Sequence, residues 1–188
     1  MRNVLILSAS PRRLANSDIL ADAAASGARE AGANVTKVRL AQLRIEPCDA
    51  CDACQSTREA PCVKHDAMQD LYPQVLAADS LLVASPIYFF SVSAQLKLFM
   101  DRLYALGGGG DWTALAGTRL GLILTYGDSN VLHSGVANAY GMFRDAARFL
   151  GLQVVDVVHT ACGGEGEVRQ NPAALDAARL LGQRLGSG

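Results

Sequence analysis

At 188 residues, with half of them hydrophobic and 19% charged, the chain is long enough for one domain with a sizeable core and too short for two comfortable ones. A formal net charge of -1 leaves no global basic field for nucleic acid and no polybasic tail for an anionic membrane. No apolar run reaches the length of a membrane span, and Met1, Arg2 and Asn3 lead into an apolar stretch too short for a signal peptide. A single domain over 1–188 in the cytoplasm is therefore expected, with neither nucleic acid nor membrane as partner.

Along the chain, short runs rich in branched apolar residues alternate with segments of helical spacing. Strands are predicted over 4–7, 35–38, 81–84, 120–124 and 154–158, and helices over 17–31, 67–77, 94–106, 135–150 and 172–185. The strand segments are apolar on both faces, as strands covered by helices on both sides should be. Five strands alternating with five helices predict a doubly wound α/β domain with strand order 2-1-3-4-5, which places ligands beyond the carboxyl ends of the strands. Asp66 with Gln69 has the spacing of a capping box, and Asn171 before Pro172 reads as an N-cap with proline at the first helical position.

One stretch, 41–65, has neither period, and it holds Cys48, Cys51, Cys54 and Cys62; the only other cysteine is Cys162. A long irregular loop in a compact domain is usually functional, and metal binding would order a segment that no core can order. Two C-x-x-C steps sharing a cysteine, with a fourth close behind, form a set of soft sulfur ligands for a cubane iron-sulfur cluster or for zinc. The spacing is more typical of iron-sulfur, because zinc ligands usually come as two separated pairs. Reduced cytoplasmic thiols disfavour disulfides, while structural zinc and plain free thiols stay open.

Three loops at strand exits carry further chemistry. After the first strand, Ser8, Ala9, Ser10, Pro11, Arg12 and Arg13 lead to Asn16 and Ser17 at a helix start. Small hydroxyl residues, helix N–H groups and an arginine suit a phosphate, although an ordinary capped helix reads the same way. After the third strand come Ser85, Pro86, Ile87, Tyr88, Phe89 and Phe90. They offer backbone polar groups and aromatic faces to a flat ring such as isoalloxazine, or simply pack under the next helix. After the fourth, Thr125, Tyr126, Gly127 and Asp128 form either the ligand's other edge or a bland turn. Lys97 and Asp101 read as an i,i+4 ion pair.

Taken together, these segments resemble the NAD(P)H-dependent FMN reductase superfamily, with its flavodoxin-like fold, and within it the iron-sulfur flavoprotein branch. The family's G-S-P-R…N-[ST] loop appears as Ala9, Ser10, Pro11, Arg12, Asn16 and Ser17, with Ala9 in place of the first glycine. Its ring loop and K-x-x-x-D-R helix appear as Ser85 to Tyr88 and then Lys97, Asp101 and Arg102, and the branch's cysteine motif is complete at Cys48, Cys51, Cys54 and Cys62. The resemblance implies FMN held at its phosphate by Ser10, Arg12, Asn16 and Ser17. The flavin ring would lie against Pro86, Ile87, Tyr88, Phe89, Tyr126, Gly127 and Asp128, and a [4Fe-4S] cluster on the four cysteines.

An oxidoreductase follows, with two forms expected. One is an electron-transfer iron-sulfur flavoprotein served by ferredoxin or NAD(P)H. The other is an NAD(P)H-dependent flavin, quinone or nitro-compound reductase whose cysteines bind zinc or nothing. A small-molecule acceptor and a homodimer or homotetramer go with both. His65, His133 and His159 lack the spacing of a metal triad, Cys162 reads as a buried small hydrophobe, and Glu165, Glu167 and Arg169 sit in or beside a Gly-rich loop.

Overall fold

The computed structural model describes residues 1–56 and 62–187; the stretch 57–61 of the cysteine-bearing loop and the terminal glycine lie outside the described residues. The order of elements is β1 (Asn3–Ser8), α1 (Asn16–Glu30), β2 (Asn34–Arg39), α2 (Met68–Leu76), β3 (Ser80–Tyr88), β4 (Ser91–Val92), α3 (Ala94–Arg102), β5 (Arg119–Tyr126), α4 (Val136–Leu150), β6 (Gln153–Ala161) and α5 (Pro172–Gly186). The sheet runs β2-β1-β3-β5-β6 with every neighbouring pair parallel. β4 folds back antiparallel on β3, with Tyr88 opposite Ser91. Leaving that two-residue strand aside, this is the predicted 2-1-3-4-5 order of a flavodoxin-like sheet.

The period of two along each strand sends alternate side chains to opposite faces. Val4 and Ile6 meet Leu20, Ala24, Leu181 and Leu185 of α1 and α5, whereas Leu5 and Leu7 join Leu71, Phe99 and Phe143 of α2, α3 and α4. Both faces are therefore sealed, and the exposed loops at the strand ends are where polar chemistry collects. α1 and α5 lie very close: a Cβ on Gly27 would overlap the Arg179 carbonyl, and one on Gly182 the Ala24 carbonyl.

Two local expectations change. The helix predicted over 94–106 is α-helical only to Arg102 and continues as a 3-10 segment, Leu103–Gly110, in which Gly107, Gly108 and Gly109 leave helical geometry. A run of glycines supplies no side chain to hold the wider turn. The capping box does not close either. Asp66 Oδ1 accepts the Met68 N–H at 3.0 Å, but Gln69 Nε2 turns to the carbonyls of Cys62 at 2.8 Å and Lys64 at 2.6 Å, tying the cysteine loop to α2. Asn171 does cap α5, its Oδ1 accepting the Ala174 N–H at 3.1 Å ahead of Pro172. Among the described residues no helix is long and apolar enough to cross a membrane.

Candidate functional site

A cleft of about 240 Å³ opens at the carboxyl ends of β1, β3, β5 and β6. One wall is the β1–α1 loop. α1 starts with Ala15 at its N-cap and no side chain bonded to its first turn, so its N-terminal N–H groups stay available to a ligand. Ser10 Oγ accepts the Arg12 N–H at 3.2 Å, and Arg39 at the end of β2 donates from Nη2 to the Arg12 carbonyl at 2.9 Å, bracing the loop from outside. Ser17 is fully buried on the lining, and its Oγ has no hydrogen-bond partner among the described residues. An orphaned buried hydroxyl beside an uncapped helix end suits a phosphate oxygen.

Beneath this wall, Asp18 Oδ1 accepts from Ser8 Oγ at 2.5 Å and pairs with Lys37 Nζ at 2.8 Å. Burial pushes the Asp18 carboxyl up, but the bonds from Lys37 and Ser8 and the charges of Lys37 and Arg39 outweigh it and hold it below the usual carboxylate range. Asn16 lines the cleft, yet its amide is engaged: Nδ2 donates to the Gly164 carbonyl at 2.8 Å and Oδ1 accepts the Val168 N–H at 3.1 Å. These two bonds join two walls of the cleft.

The opposite wall is the end of β3. Pro86, Ile87 and Tyr88 line the cleft, and Ser93, the N-cap of α3, donates from Oγ to the Ala9 carbonyl at 2.7 Å, locking the loop after β3 to the loop after β1. Tyr126 and Gly127 close the third side, and Tyr126 Oη lies 3.2 Å from His159 Nδ1. Nine of the eleven residues expected around FMN thus share one cleft: Ser10, Arg12, Asn16, Ser17, Pro86, Ile87, Tyr88, Tyr126 and Gly127.

Phe89 and Asp128 do not line it. Phe89 is 96% exposed at the tip of the β3–β4 hairpin, where both Phe89 (φ 46°) and Phe90 (φ 66°) adopt left-handed backbone. Asp128 Oδ1 instead accepts the Asn130 N–H at 2.8 Å, closing its own local turn. Cys162, Gly163 and Glu165, not expected at the site, also line it. They follow β6, so the rule that ligands gather beyond strand ends already pointed to them. Cys162 is half-buried on this wall rather than core; burial and the nearby Glu167 push its thiol up.

A second cavity lies on the loop between β2 and α2, lined by Cys48, Cys51, Cys54 and Cys62 together with Arg102 and Tyr104. All five cysteines of the chain are free. Ala50 and Asp52, both at φ 55°, take left-handed backbone between successive cysteines, a conformation costing about 1–2 kcal/mol at each non-glycine position. That bend turns a short segment back on itself with its thiols around one hollow. Among the described residues no three His, Cys, Asp or Glu side chains form a single-ion site.

At the floor of this cavity Arg102 pairs with Asp66, Nη1 to Oδ2 at 2.5 Å, with only 1% and 2% of the two side chains exposed. Burial pushes the Asp66 carboxyl up, but the bond from Arg102 and the Glu46 and Met68 N–H groups outweigh it, leaving it below the usual range. Tyr72 Oη donates to the Arg102 carbonyl at 3.0 Å, and burial raises its phenol.

A parallel sheet of this order, with its cleft at the carboxyl ends of the strands, defines a flavodoxin-like α/β protein. The chain belongs to the NADPH-dependent FMN reductase family, whose pattern it matches over residues 2–164. It is 35% identical over 127 residues to an iron-sulfur flavoprotein of Archaeoglobus fulgidus, covering 68% of this chain and 52% of that one. It is 28% identical over 137 residues to an FMN-dependent NADH:quinone oxidoreductase of Methylorubrum populi, covering 65% and 67%. The chain spans about half the length of the iron-sulfur flavoproteins it matches. Among solved structures, an NAD(P)H:quinone oxidoreductase from Methanothermobacter marburgensis superposes with a TM-score of 0.73 at 19% identity, over 100% of this chain and 97% of that one, a likeness of fold.

Proposed function

We propose that the chain is an oxidoreductase of the iron-sulfur flavoprotein kind, with FMN in the cleft at the carboxyl edge of the sheet and a [4Fe-4S] cluster on the loop between β2 and α2. The observation that carries this reading is the convergence of Cys48, Cys51, Cys54 and Cys62 on one cavity floored by a buried cation. Soft thiolates with a charged N–H donor behind them suit iron-sulfur chemistry. The orphaned Ser17 Oγ and the uncapped start of α1 support FMN in the neighbouring cleft.

When bound, FMN supplies exchange between one- and two-electron steps, and the cluster supplies single-electron transfer. The chain's own residues bind and orient. Ser10, Ser17 and the first-turn N–H groups of α1, with Arg12, hold the phosphate; Pro86, Ile87, Tyr88, Tyr126 and Gly127 flank the ring and keep water from its faces. Reduced ferredoxin or NAD(P)H is the proposed donor and a small molecule the acceptor. A homodimer or homotetramer is the proposed working form, supported by the exposed Phe89 and Phe90 next to the ring loop.

Anaerobic purification followed by iron and sulfide reconstitution tests this. The expected product shows flavin bands over a broad cluster absorbance, with about four irons and four sulfides per chain. Cys54→Ser should lose the iron and keep the flavin. Flavin without iron or sulfide in the wild type would remove the cluster and leave the second reading, an NAD(P)H-dependent quinone reductase with zinc or nothing on the cysteines. That reading is favoured by the relatives named as FMN-dependent NADH:quinone oxidoreductases. Steady NADH or NADPH oxidation by quinone supports it; flavin that only ferredoxin reduces excludes it.

A further inference from the structure

Arg102 ends α3 with a guanidinium withdrawn from water and turned toward the cysteine loop. Nη1 donates to the Glu46 carbonyl at 2.8 Å as well as to Asp66 Oδ2, and Nη2 donates to Asp66 Oδ1 at 3.2 Å and to Cys62 Sγ at 3.4 Å. Nε is buried with no partner among the described residues. Glu46 lies just before Cys48 and Asp66 just after Cys62, so one cation ties both stems of the ligand loop and reaches one of its four sulfurs. Asp66 reinforces the clamp, because its Oδ2 also accepts the Glu46 N–H at 2.8 Å.

A buried ion pair is by itself weak evidence of stabilisation, since desolvation offsets the attraction. What sets this pair apart is the donor spent on sulfur, a contact that pairing with Asp66 does not require. Lys64, another cation beside the loop, engages Asp49 at 3.0 Å and Glu46 at 3.9 Å instead.

We infer that Arg102 is a positioning residue for the ligand set: its Nη2–H bond gives Cys62 a charged donor, where Cys54 has the neutral Gln55 amide at 3.5 Å, and raises the reduction potential of the centre built on the four thiols. The inference rests on the iron-sulfur reading above. Hydrogen bonds to ligand sulfur and a nearby fixed positive charge both stabilise the reduced, more negative state. The same two arms hold the loop stems together before any metal arrives, so Arg102 also shapes the loop that receives it.

The test loads wild type, Arg102→Lys, the double variant Asp66→Asn/Arg102→Gln and Arg44→Gln with iron and sulfide under anaerobic conditions. Midpoint potentials are then read by redox titration followed by electron paramagnetic resonance. The lysine keeps a cation for Asp66 without the forked second arm, and the double variant replaces the ion pair by two amides; both should move the midpoint to more negative values. Arg44, an exposed cation bonded to Glu46 at 3.2 Å, touches no sulfur, and its variant should leave the midpoint where it was.

Loaded Arg102→Lys and double variants with the wild-type midpoint would overturn the inference and leave the iron-sulfur reading intact, whereas a wild type that takes up no iron overturns the reading itself. A readout that needs no cluster is the thermal unfolding of metal-free Cys62→Ala, Arg102→Lys and their combination. Non-additive midpoints are expected from a real N–H···S contact, and strict additivity would overturn it.

Discussion

Asn16 Nδ2 donates to the Gly164 carbonyl across 2.8 Å, and this one bond makes the phosphate loop and the loop after β6 into a single wall of the cleft. The same side chain receives the Val168 N–H through Oδ1, so the amide is engaged at both ends by a segment remote in sequence. The cleft is thus assembled from both halves of the chain, and its shape depends on contacts within the protein as much as on any ligand.

Asn16→Ala should therefore lower stability and flavin affinity together. It strands the buried Val168 N–H, at a cost of about 1–3 kcal/mol. Thermal unfolding and fluorescence titration with FMN read the two effects, which should both move.

Ser17→Ala should separate them. Its Oγ has no partner among the described residues, so unfolding of the flavin-free protein should stay within about 0.5 kcal/mol of wild type or rise. FMN affinity should fall by about tenfold, the equivalent of roughly one charge-assisted hydrogen bond of about 1.5 kcal/mol. Equal FMN affinity in the two proteins would show that the phosphate lies elsewhere.

Acid should weaken the fold through Asp18. Its folded value lies below the unfolded one because of Lys37, Ser8 and Arg39, so its contribution is fully present above the unfolded value of about 3.9 and is lost as pH falls through the folded value. Asp66 titrates with the same sign beside Arg102. Melting temperatures from pH 7 down to about 3 should show this acid limb. In Asp18→Asn the limb should be shallower and the stability at neutral pH about 1–3 kcal/mol lower.

The β3–β4 hairpin should be improvable. Its two central residues sit in left-handed backbone that asparagine and glycine adopt readily and phenylalanine does not. Phe89→Asn/Phe90→Gly gives up a ring contact at 5.7 Å, between a residue 96% exposed and one 57% exposed. A net gain of about 1–2 kcal/mol in thermal unfolding is expected. A loss instead would mean that the rings stabilise the hairpin more than the backbone strains it.

Much of this protein was legible in one dimension. Alternating apolar runs and helical spacing determined the layers, because side chains on a strand or helix must face the core at the period of the backbone itself. The cysteine spacing and the small-residue loop before Ser17 marked both cavities for the same reason: chemistry of that kind needs those residues near one another in the chain. Lys97 and Asp101 form the expected exposed pair at 2.5 Å.

Arg102, the very next residue, shows where local reading stops. One step along a helix turns the side chain by about 100°, from the solvent side to the core side. What waits there, Asp66, Glu46 and Cys62, arrives from distant parts of the chain and is brought in by packing of the cysteine loop under α3. The loop after β6 reached the cleft in the same way, by its place beside β5 in the sheet. Periodicity is a property of neighbours in sequence, whereas the partner of a buried charge is selected by desolvation, which only the closed tertiary structure imposes.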